Sequence, residues 1–256
     1  MNTNLSKTII VTGAASGIGK AIATTLAAKA YRVILFDLNE EALSECAAEL
    51  HHTNKEVYTE VVDISNQDQV TACINRVAEA HGLYGIINNA GIAHVGNVEQ
   101  TSEADLDRLY EVNVKGVYNG IKACIPHLKS QGGVIVNIAS IAATTGISDR
   151  FAYSMTKGAV LAMTYSVAKD YVAHNIRCNS ISPARIHTPF VDGFIAKNYP
   201  GQEKEMFERL SKTQPIGRMG TPQEVAYLVA FLCSSEAEFI TGTDYPIDGG
   251  FLKLNS

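Results

Sequence analysis

Several features that would indicate a macromolecular partner are missing from this sequence. The chain is slightly acidic, with a formal net charge of −5, and its lysines and arginines form no cluster that would suit nucleic acid or an anionic membrane. No apolar run approaches the roughly 18 residues that a membrane span needs, and residues 1–7 are too short for a cleavable signal. We therefore expect a cytoplasmic protein with a small-molecule partner, and no nucleic acid or membrane partner.

Cysteine is present, but never in a pattern that indicates a structural site. The five cysteines are odd in number and widely separated, and no two of them stand as C-x-x-C. Neither a disulfide framework nor a metal site is predicted. We expect these side chains to be buried apolar groups in a reducing compartment.

What the sequence does contain is an alternation of short apolar runs with helical patterns. With 46% hydrophobic residues, residues 1–256 are expected to form a single domain with a large core. The predicted strands are apolar along their whole length, which is typical of a parallel sheet covered on both faces. The predicted fold class is α/β, a doubly wound parallel sheet (Rossmann fold). The predicted strands are residues 8–12, 32–36, 57–62, 85–88, 134–138 and 176–181, with helices that include residues 17–29, 40–50 and 68–80.

The alternation breaks down in residues 183–222, which contain five of the seven prolines. A long irregular segment inside a compact domain is commonly a functional loop. Apolar residues at helical spacing within residues 189–215 predict a helical lid over the substrate. Simple packing of the same residues against the body of the domain remains open.

A glycine cluster follows the first predicted strand and opens the first helix. Glycine lets the backbone turn sharply and approach a pyrophosphate, and the free N–H groups at a helix start attract its negative charge. A turn rich in small residues would look the same, so the placement between strand and helix is what favours a nucleotide site. The residues concerned are Gly13, Ser16, Gly17, Ile18 and Gly19.

An acidic residue, Asp37, ends the second apolar run, 24 residues after Gly13. At this spacing a carboxylate can accept hydrogen bonds from the hydroxyls of an adenosine ribose, whereas it would repel a 2′-phosphate. The neighbouring Ser16 and Leu38 are not basic. NAD is therefore favoured over NADP, although Asp37 also suits the start of the following helix.

Together with further motifs in matching order, these residues resemble the classical short-chain dehydrogenase/reductase family over essentially the whole chain. The resemblance implies that Asp63 contacts adenine, that the turn containing Asn89 lies along the cofactor, and that Ile186 and Thr188 touch the nicotinamide end. The family commonly has Pro-Gly where this chain has Pro183-Ala184, and we expect the turn to be kept. The motifs are Asp63-Ile64, Asn88-Asn89-Ala90-Gly91, Asn113, Ser140, Tyr153-x-x-x-Lys157 and Pro183 to Thr188.

The predicted catalytic residues are Asn113, Ser140, Tyr153 and Lys157. Tyr153 and Lys157 are four residues apart, so they share one helix face, and the ammonium would favour the phenolate. Tyr153 would then exchange a proton with the substrate oxygen while Ser140 hydrogen-bonds it. The resemblance implies that Asn113 steadies the local helix and a water, and that Tyr153 and Lys157 also contact the cofactor. Alone, such a pair would be read as an exposed helix face.

Three basic side chains near these segments, His94, Arg150 and Arg185, are candidate substrate residues. An arginine fork suits a carboxylate, although loop or subunit salt bridges would explain the arginines equally well. Segments around Arg185, residues 214–220 and residues 245–251 resemble a branch of the family that handles sugar-derived acids such as 2-keto-3-deoxy-L-fuconate. We therefore expect oxidation of a secondary hydroxyl of a hydroxy acid.

Other functions stay open beside this one. Within the family, the alternatives are a 3-hydroxybutyrate-type dehydrogenase and a 3-oxoacyl carrier-protein reductase, although Asp37 and the acidic balance disfavour the latter. Outside enzymes, a non-catalytic nucleotide-binding regulatory protein would share the fold, but it should lack some of the four catalytic residues. A homotetramer is implied by the resemblance, with the apolar tail at residues 251–254 as one candidate interface.

Overall fold

A computed structural model describes residues 7–254, with the side chains of Phe190 and Asn198 left outside that description. Its centre is one sheet of seven parallel strands in the order β3-β2-β1-β4-β5-β6-β7. From β1 the chain first builds outwards through β2 to β3, and it then returns to the other side of β1 with β4. The strand order therefore reverses between β1 and β4, and a cleft opens at the carboxyl ends of these two strands. The strands are β1 Thr8–Thr12, β2 Arg32–Asp37, β3 Val57–Val61, β4 Gly85–Asn88, β5 Gly133–Ile138, β6 Ile176–Pro183 and β7 Asp244–Ile247.

Helices cover both faces of this sheet, which confirms the predicted doubly wound α/β fold. One buried apolar cluster joins the sheet to α1, α2 and α9, and a second joins it to α3, α5 and α6. The helices are α1 Gly17–Ala28, α2 Glu40–Leu50, α3 Gln67–His81, α4 Glu103–Tyr110, α5 Gly116–Leu128, α6 Phe151–Tyr171, α7 Pro189–Asn198, α8 Glu203–Ser211, α9 Pro222–Cys233 and α10 Phe251–Leu254.

The strand β7 was not predicted, for a physical reason. It lies at the sheet edge, contains Pro246 and is largely half-buried, so it lacks the continuous apolar run of the inner strands. Two serine hydroxyls of β6, Ser180 and Ser182, donate to the Asp244 carboxylate at 2.7 and 2.9 Å. These polar contacts, which a hydrophobic pattern does not register, hold β7 beside β6.

The predicted lid segment contains two short helices, α7 and α8, in place of regular strand-helix alternation. All five cysteines are buried and unpaired, as expected. Across residues 7–254, no helix combines the length and the apolar character that a membrane crossing requires. Within the same residues, no group of three or more His, Cys, Asp and Glu side chains is placed to hold a metal ion.

Candidate active site

The glycine turn between β1 and α1 can exist only with glycine at two of its positions. Gly13 has φ +63°, and a Cβ there would lie 2.9 Å from the backbone Cα of Ala90. At Gly19 a Cβ would lie 2.0 Å from the Gly13 carbonyl oxygen. The turn and the start of α1 are therefore packed backbone against backbone, which is the form that a dinucleotide cradle requires.

Hydrogen bonds hold the ends of β1 and β4 together beside this turn. The Thr12 hydroxyl accepts the backbone N–H groups of Asn89 and Ala90, each at 3.0 Å. The Asn89 amide donates in return to the carbonyls of Thr12 and Gly13, at 2.9 and 3.2 Å. The predicted cofactor residues Asn89 and Ala90 are thus fixed against the glycine turn by contacts from both strands.

The start of α1 is open to an anion. Ser16, at the N-cap, makes no capping hydrogen bond with its side chain, so the first N–H groups of the helix face the cleft uncapped. Gly17 has φ +53°, and a Cβ there would face only Thr188, at 3.7 Å. Ile18 lines the cavity described below. An uncapped helix start beside a glycine cradle fits the pyrophosphate of a dinucleotide.

Asp37 and Asp63 lie at the carboxyl ends of two neighbouring strands, β2 and β3. The Asp37 carboxylate accepts the N–H groups of Ala15 at 3.0 Å and Leu38 at 2.8 Å, so it fixes the glycine turn from the end of β2. Asp63 follows β3, and its carboxylate accepts the Ser65 backbone N–H and hydroxyl. Ile64 is buried, with its side chain close to Gly116. The adenine contacts of Asp63 and Ile64 stay a prediction.

Tyr153, Lys157 and Ser140 meet at one wall of a cavity of about 520 Å³. Both Tyr153 and Lys157 lie on α6, and the Lys157 ammonium is 5.8 Å from the centre of the Tyr153 ring. Its Nζ donates to the carbonyl of Ile138, at the end of β5, at 2.7 Å. Ser140 begins a short 3₁₀ turn, where its hydroxyl accepts the Ala142 N–H at 3.2 Å, and it also hydrogen-bonds the Tyr153 side chain.

The pKa pattern of this group differs from the prediction. Burial raises the pKa of Tyr153, while the hydrogen bond from Ser140 and the charge of Arg150 oppose that rise. Burial also lowers the pKa of Lys157 to about 8. The predicted net fall in the pKa of Tyr153 is therefore not what the structure shows, because burial outweighs the groups that favour the phenolate. The Lys157 ammonium lies over the ring and bonds to a carbonyl, and Arg150 is a second cation that favours the phenolate.

Asn113 is almost fully buried in a π-helical segment, Glu111–Lys115, between α4 and α5. Its Oδ1 accepts the Ile92 N–H at 2.8 Å, and its Nδ2 donates to the Ile92 carbonyl at 2.9 Å and the Thr156 hydroxyl at 3.1 Å. The side chain thereby ties the loop after β4 to α6. This placement agrees with a residue that steadies the local helix. A Cβ at Gly91, the fourth predicted cofactor glycine, would lie 3.1 Å from Asn113 Oδ1, so this glycine sits tightly against Asn113.

The charged residues that line the cavity are all basic. They are Arg108, Arg150, Arg185 and Lys157, and none of the described lining residues is Asp or Glu. Arg150 donates to the carbonyl of Asp149 at 2.9 Å, and Arg185 donates through Nε to the Thr213 hydroxyl at 3.0 Å. Burial and the charge of Arg150 both lower the pKa of Arg185. Neither guanidinium is paired with a carboxylate within residues 7–254, so no salt bridge among these residues accounts for the two arginines.

His94 is the candidate substrate residue that the structure does not bring to the cavity. Its Nε2 lies 3.5 Å from the carboxylate of Asp105, and it is not among the lining residues. The reason is local, because the loop after β4 turns the ring towards α4. We therefore drop His94 from the candidate substrate residues.

The segment after β6 forms the other wall of the cavity, through Pro183, Ile186 and Thr188. Ala184 donates its N–H to the Ile247 carbonyl at 3.1 Å and does not adopt positive φ, so the turn is kept without glycine, as expected. The lining residues that sequence reasoning did not name as site residues include the polar Arg108 and Gln214 and the aromatic Phe251. Phe251 was placed in a tail, and nothing in the residue pattern near Arg108 or Gln214 marks them as facing a cleft.

Comparison with known proteins agrees with this geometry. Residues 13–252 match the family model described as "Enoyl-(Acyl carrier protein) reductase". A 2-keto-3-deoxy-L-fuconate dehydrogenase of Xanthomonas campestris is 35% identical, over 98% of this chain and 82% of that protein. A 2-(R)-hydroxypropyl-CoM dehydrogenase of Xanthobacter autotrophicus is 36% identical, over 98% of this chain and 100% of that protein. The chain belongs to the short-chain dehydrogenase/reductase family.

Solved structures show the same relationship. A levodione reductase superposes with a TM-score of 0.93 at 33% identity, over 98% of this chain and 99% of that one. An L-sorbose reductase of Gluconobacter frateurii, solved with NADPH and L-sorbose, superposes with a TM-score of 0.93 at 28% identity, over 100% of both chains. This short-chain dehydrogenase/reductase is therefore an oxidoreductase that acts on secondary alcohols with a nicotinamide cofactor.

Proposed function

We propose that this enzyme uses NAD to oxidise a secondary hydroxyl of a hydroxy acid, with a deoxy sugar acid such as 2-keto-3-deoxy-L-fuconate as the leading candidate. The observation that carries the proposal is the lining of the cavity, where three arginines and one lysine face the space beside Tyr153 and no described lining residue is acidic. The relative from Xanthomonas campestris, which is named for a fuconate substrate, supports the choice of a sugar acid.

Two of the arginines are arranged as an anion site. Arg150 and Arg185 are close enough for the charge of one to lower the pKa of the other, and neither has an acidic partner within residues 7–254. Two cations held together without a counter-charge repel each other, and a bound carboxylate would relieve that repulsion. An arginine fork also matches the two oxygens of a carboxylate in one plane. This geometry favours an acid over a neutral alcohol.

The choice of NAD rests on Asp37. Its carboxylate is half-buried at the end of β2 and fixed by backbone N–H groups, so it cannot readily turn away from a 2′-phosphate. The basic side chain on the nearby part of α1, Lys20, is already paired with Glu49 at 2.7 Å. A fixed carboxylate with no free cation beside it favours the ribose hydroxyls of NAD. The NADPH that the related L-sorbose reductase binds makes this a property to be measured.

The chain's own residues account for the proton side of the reaction. The nicotinamide, when bound, accepts or supplies the hydride. Tyr153 faces the cavity and is hydrogen-bonded to Ser140; as the phenolate it takes the proton of the substrate hydroxyl during oxidation, and as the phenol it returns that proton during reduction. Ser140 holds the same oxygen in place. Lys157, buried behind them, is positioned by Ile138 to bond to the cofactor.

Three wider properties complete the proposal. The lid, α7 and α8, contributes Val191 and Leu210 to the cavity wall, which supports closure over the substrate. The buried, unpaired cysteines support a reducing compartment such as the cytoplasm. We also propose a homotetramer, because large apolar side chains of α5 and α6 lie exposed in the single chain.

The proposed function is tested by following NADH absorbance with a panel of hydroxy acids, deoxy sugar acids and matched neutral alcohols, each offered with NAD and with NADP. We expect turnover of acids with NAD. Failure of every acid, or a strong preference for NADP, would contradict the proposal.

The carboxylate anchor is tested by Arg150→Met, which keeps an unbranched, flexible apolar stem and removes the charged guanidinium. We expect KM for acids to rise about 10-fold to 100-fold, the effect of losing a charge-assisted hydrogen bond, and KM for neutral alcohols to change little. Arg209→Met, on the exposed side of α8, is the matched control. An equal change for acids and neutral alcohols would show that Arg150 does not bind the carboxylate.

A further inference from the structure

Gln214 is a polar side chain buried in the wall of the active-site cavity. It follows the lid helix α8, it is only 2% exposed, and it lines the cavity together with Arg185. Sequence reasoning placed it in the lid segment and in a run that resembles the sugar-acid branch, but predicted no contact for its side chain. A side chain with both a donor and an acceptor in such a position needs a partner for each.

The neighbouring Thr213 fixes which way the Gln214 amide points. The Thr213 hydroxyl lies 2.6 Å from the carbonyl oxygen of Leu210, and because a carbonyl cannot donate, the hydroxyl proton must lie in that contact. The hydroxyl oxygen can then only accept, and it does so from Gln214 Nε2 at 2.6 Å and from Arg185 Nε at 3.0 Å. The NH₂ group of Gln214 therefore faces Thr213, and its oxygen faces away from it.

That oxygen has no hydrogen-bond partner. Within residues 7–254, Gln214 Oε1 and His94 Nδ1 are the two buried side-chain polar atoms that lack one. An unpaired buried acceptor costs about 1 to 3 kcal/mol, and such groups persist in native proteins mainly where a ligand or an ordered water satisfies them. The atom requires a donor, so a carboxylate or a ketone cannot satisfy it, whereas a hydroxyl can.

Arg185 determines where that hydroxyl would be. Arg185 and Gln214 share the same Thr213 oxygen, and Arg185 uses only its Nε there. The two terminal NH₂ groups of its guanidinium make no hydrogen bond with a described residue, so they are available to a carboxylate. A substrate whose carboxylate reaches Arg185 would bring the group on its neighbouring carbon towards Gln214.

We propose that Gln214 is a specificity-determining residue whose Oε1 accepts a hydrogen bond from a second substrate hydroxyl, on the carbon next to the carboxylate and distinct from the hydroxyl that reacts. The inference rests on the proposed function, because that function supplies the substrate carboxylate that binds Arg185. It narrows the substrate class to polyhydroxylated acids and separates them from simple 3-hydroxy acids. A 2-keto acid such as 2-keto-3-deoxy-L-fuconate meets the requirement as its cyclic hemiketal, in which the carbon next to the carboxylate carries a hydroxyl. The same oxygen would be left unpaired by 3-hydroxybutanoate.

The test compares two acids that differ by one hydroxyl, 2,3-dihydroxybutanoate and 3-hydroxybutanoate, with every stereoisomer offered in turn. For the wild type we expect kcat/KM to favour the best dihydroxy acid by about 10-fold or more, the effect of one buried hydrogen bond. Gln214→Met has a similar size and no oxygen, so the ratio should fall close to one. Gln202→Met, an exposed glutamine at the start of α8, should leave the ratio unchanged.

A second variant keeps the test decisive if Gln214→Met folds poorly. Gln214→Glu retains an acceptor oxygen, so the preference for the dihydroxy acid should survive, even though its charge raises KM for both acids beside Arg185. A wild type that does not discriminate, or a Met variant that keeps the preference, would overturn the role of Gln214 while acid oxidation still stands. Turnover of neutral 2,3-butanediol with no turnover of either acid would instead contradict the proposed function, and the acid class inferred here with it.

Discussion

Lys157 carries its positive charge in a buried position, where the charged form is unfavourable. Its side chain is 5% exposed and its Nζ has one hydrogen bond, to a backbone carbonyl, which is why its pKa falls to about 8. Against the usual lysine pKa of about 10.4, that shift corresponds to about 3 kcal/mol of instability when the residue is protonated. The folded protein is therefore less stable than it would be without this buried cation at the cofactor site.

This cost gives a stability prediction with a definite sign. Between pH 8 and about 10.4 the unfolded chain keeps a proton on Lys157 that the folded chain has released, so the free energy of unfolding should rise with pH by up to about 3 kcal/mol from this residue. Lys157→Met lacks the effect. Urea unfolding at pH 7.5 and pH 10 should therefore show the wild type gaining stability relative to the variant, whereas exposed Lys169→Met should follow the wild type. A constant difference would contradict the lowered pKa.

Tyr153 gives the corresponding prediction for chemistry. Tyr153→Phe removes only the hydroxyl, so turnover should fall by about 100-fold to 10,000-fold while NADH affinity changes little. Because burial raises the pKa of the phenol, the rate of oxidation by the wild type should rise with pH above neutrality. Tyr165→Phe, exposed on the same helix, is the control for kinetics and for NADH binding by titration. Activity that survives in Tyr153→Phe would show that another group takes the proton.

Residue identity was easier to predict than residue environment. The spacing of Tyr153 and Lys157 on one helix face follows from the sequence alone, and the structure confirms it. The environment of Tyr153 does not follow, because its burial, which raises its pKa, and the approach of Arg185 to Arg150 both depend on segments that only the folded chain brings together. Gln214 and Arg108 were missed for the same reason, since a single polar residue carries no pattern.

At the scale of elements, two glycines in different turns show two uses of the residue. Gly13 lies between β1 and α1, and Gly82 ends α3. Gly13 and Gly82 both adopt positive φ, of +63° and +70°. A Cβ at Gly13 would press on Ala90 in the cofactor cleft, whereas a Cβ at Gly82 would meet nothing within 4 Å. One glycine is needed for close approach as well as for conformation, and the other for conformation alone.

The two glycines therefore make a matched pair of variants. Gly82→Ala should lose about 1 to 3 kcal/mol of stability from backbone strain and bind NADH normally. Gly13→Ala also forces a side chain into positive φ and in addition displaces the turn that follows β4, so its NADH dissociation constant should rise about 10-fold or more. Thermal unfolding and NADH titration of both variants check the prediction. Equal NADH affinity in the two would show that the cleft tolerates a Cβ at Gly13.

Elements with a strong local signal were predicted well, and those held by polar contacts were not. The inner strands were found within one or two residues because they are continuous apolar runs, and α2 was found with its bounds correct. The edge strand β7 and the π-helical segment that carries Asn113 have no such signal. Hydrogen bonds from distant residues define them.

For the whole molecule, the active site is a consequence of strand order. The glycine turn after β1, the turn after β4 and the Ser140 turn after β5 are far apart in sequence, but these three strands are neighbours in the sheet. Parallel strands bring their carboxyl ends to one edge, so residues that follow them converge. The sequence predicts a parallel sheet, whereas its order depends on long-range packing that no local pattern encodes.

The outer face of α6 leads to a prediction about assembly. Phe151, Met155 and Tyr165 lie on this face with 49%, 43% and 45% of their surface exposed, and Tyr118 of α5 is 44% exposed. Large apolar side chains repeated along a helix and left in water are typical of a subunit contact. We expect the wild type to sediment as a tetramer and the double variant Met155→Lys, Tyr165→Glu to sediment as a smaller species, because charge is costly in a buried contact. Val61→Lys, at the far edge of the sheet, should leave the tetramer intact. A tetramer that survives the double variant would place the contact elsewhere, and a monomeric wild type would refute the homotetramer itself.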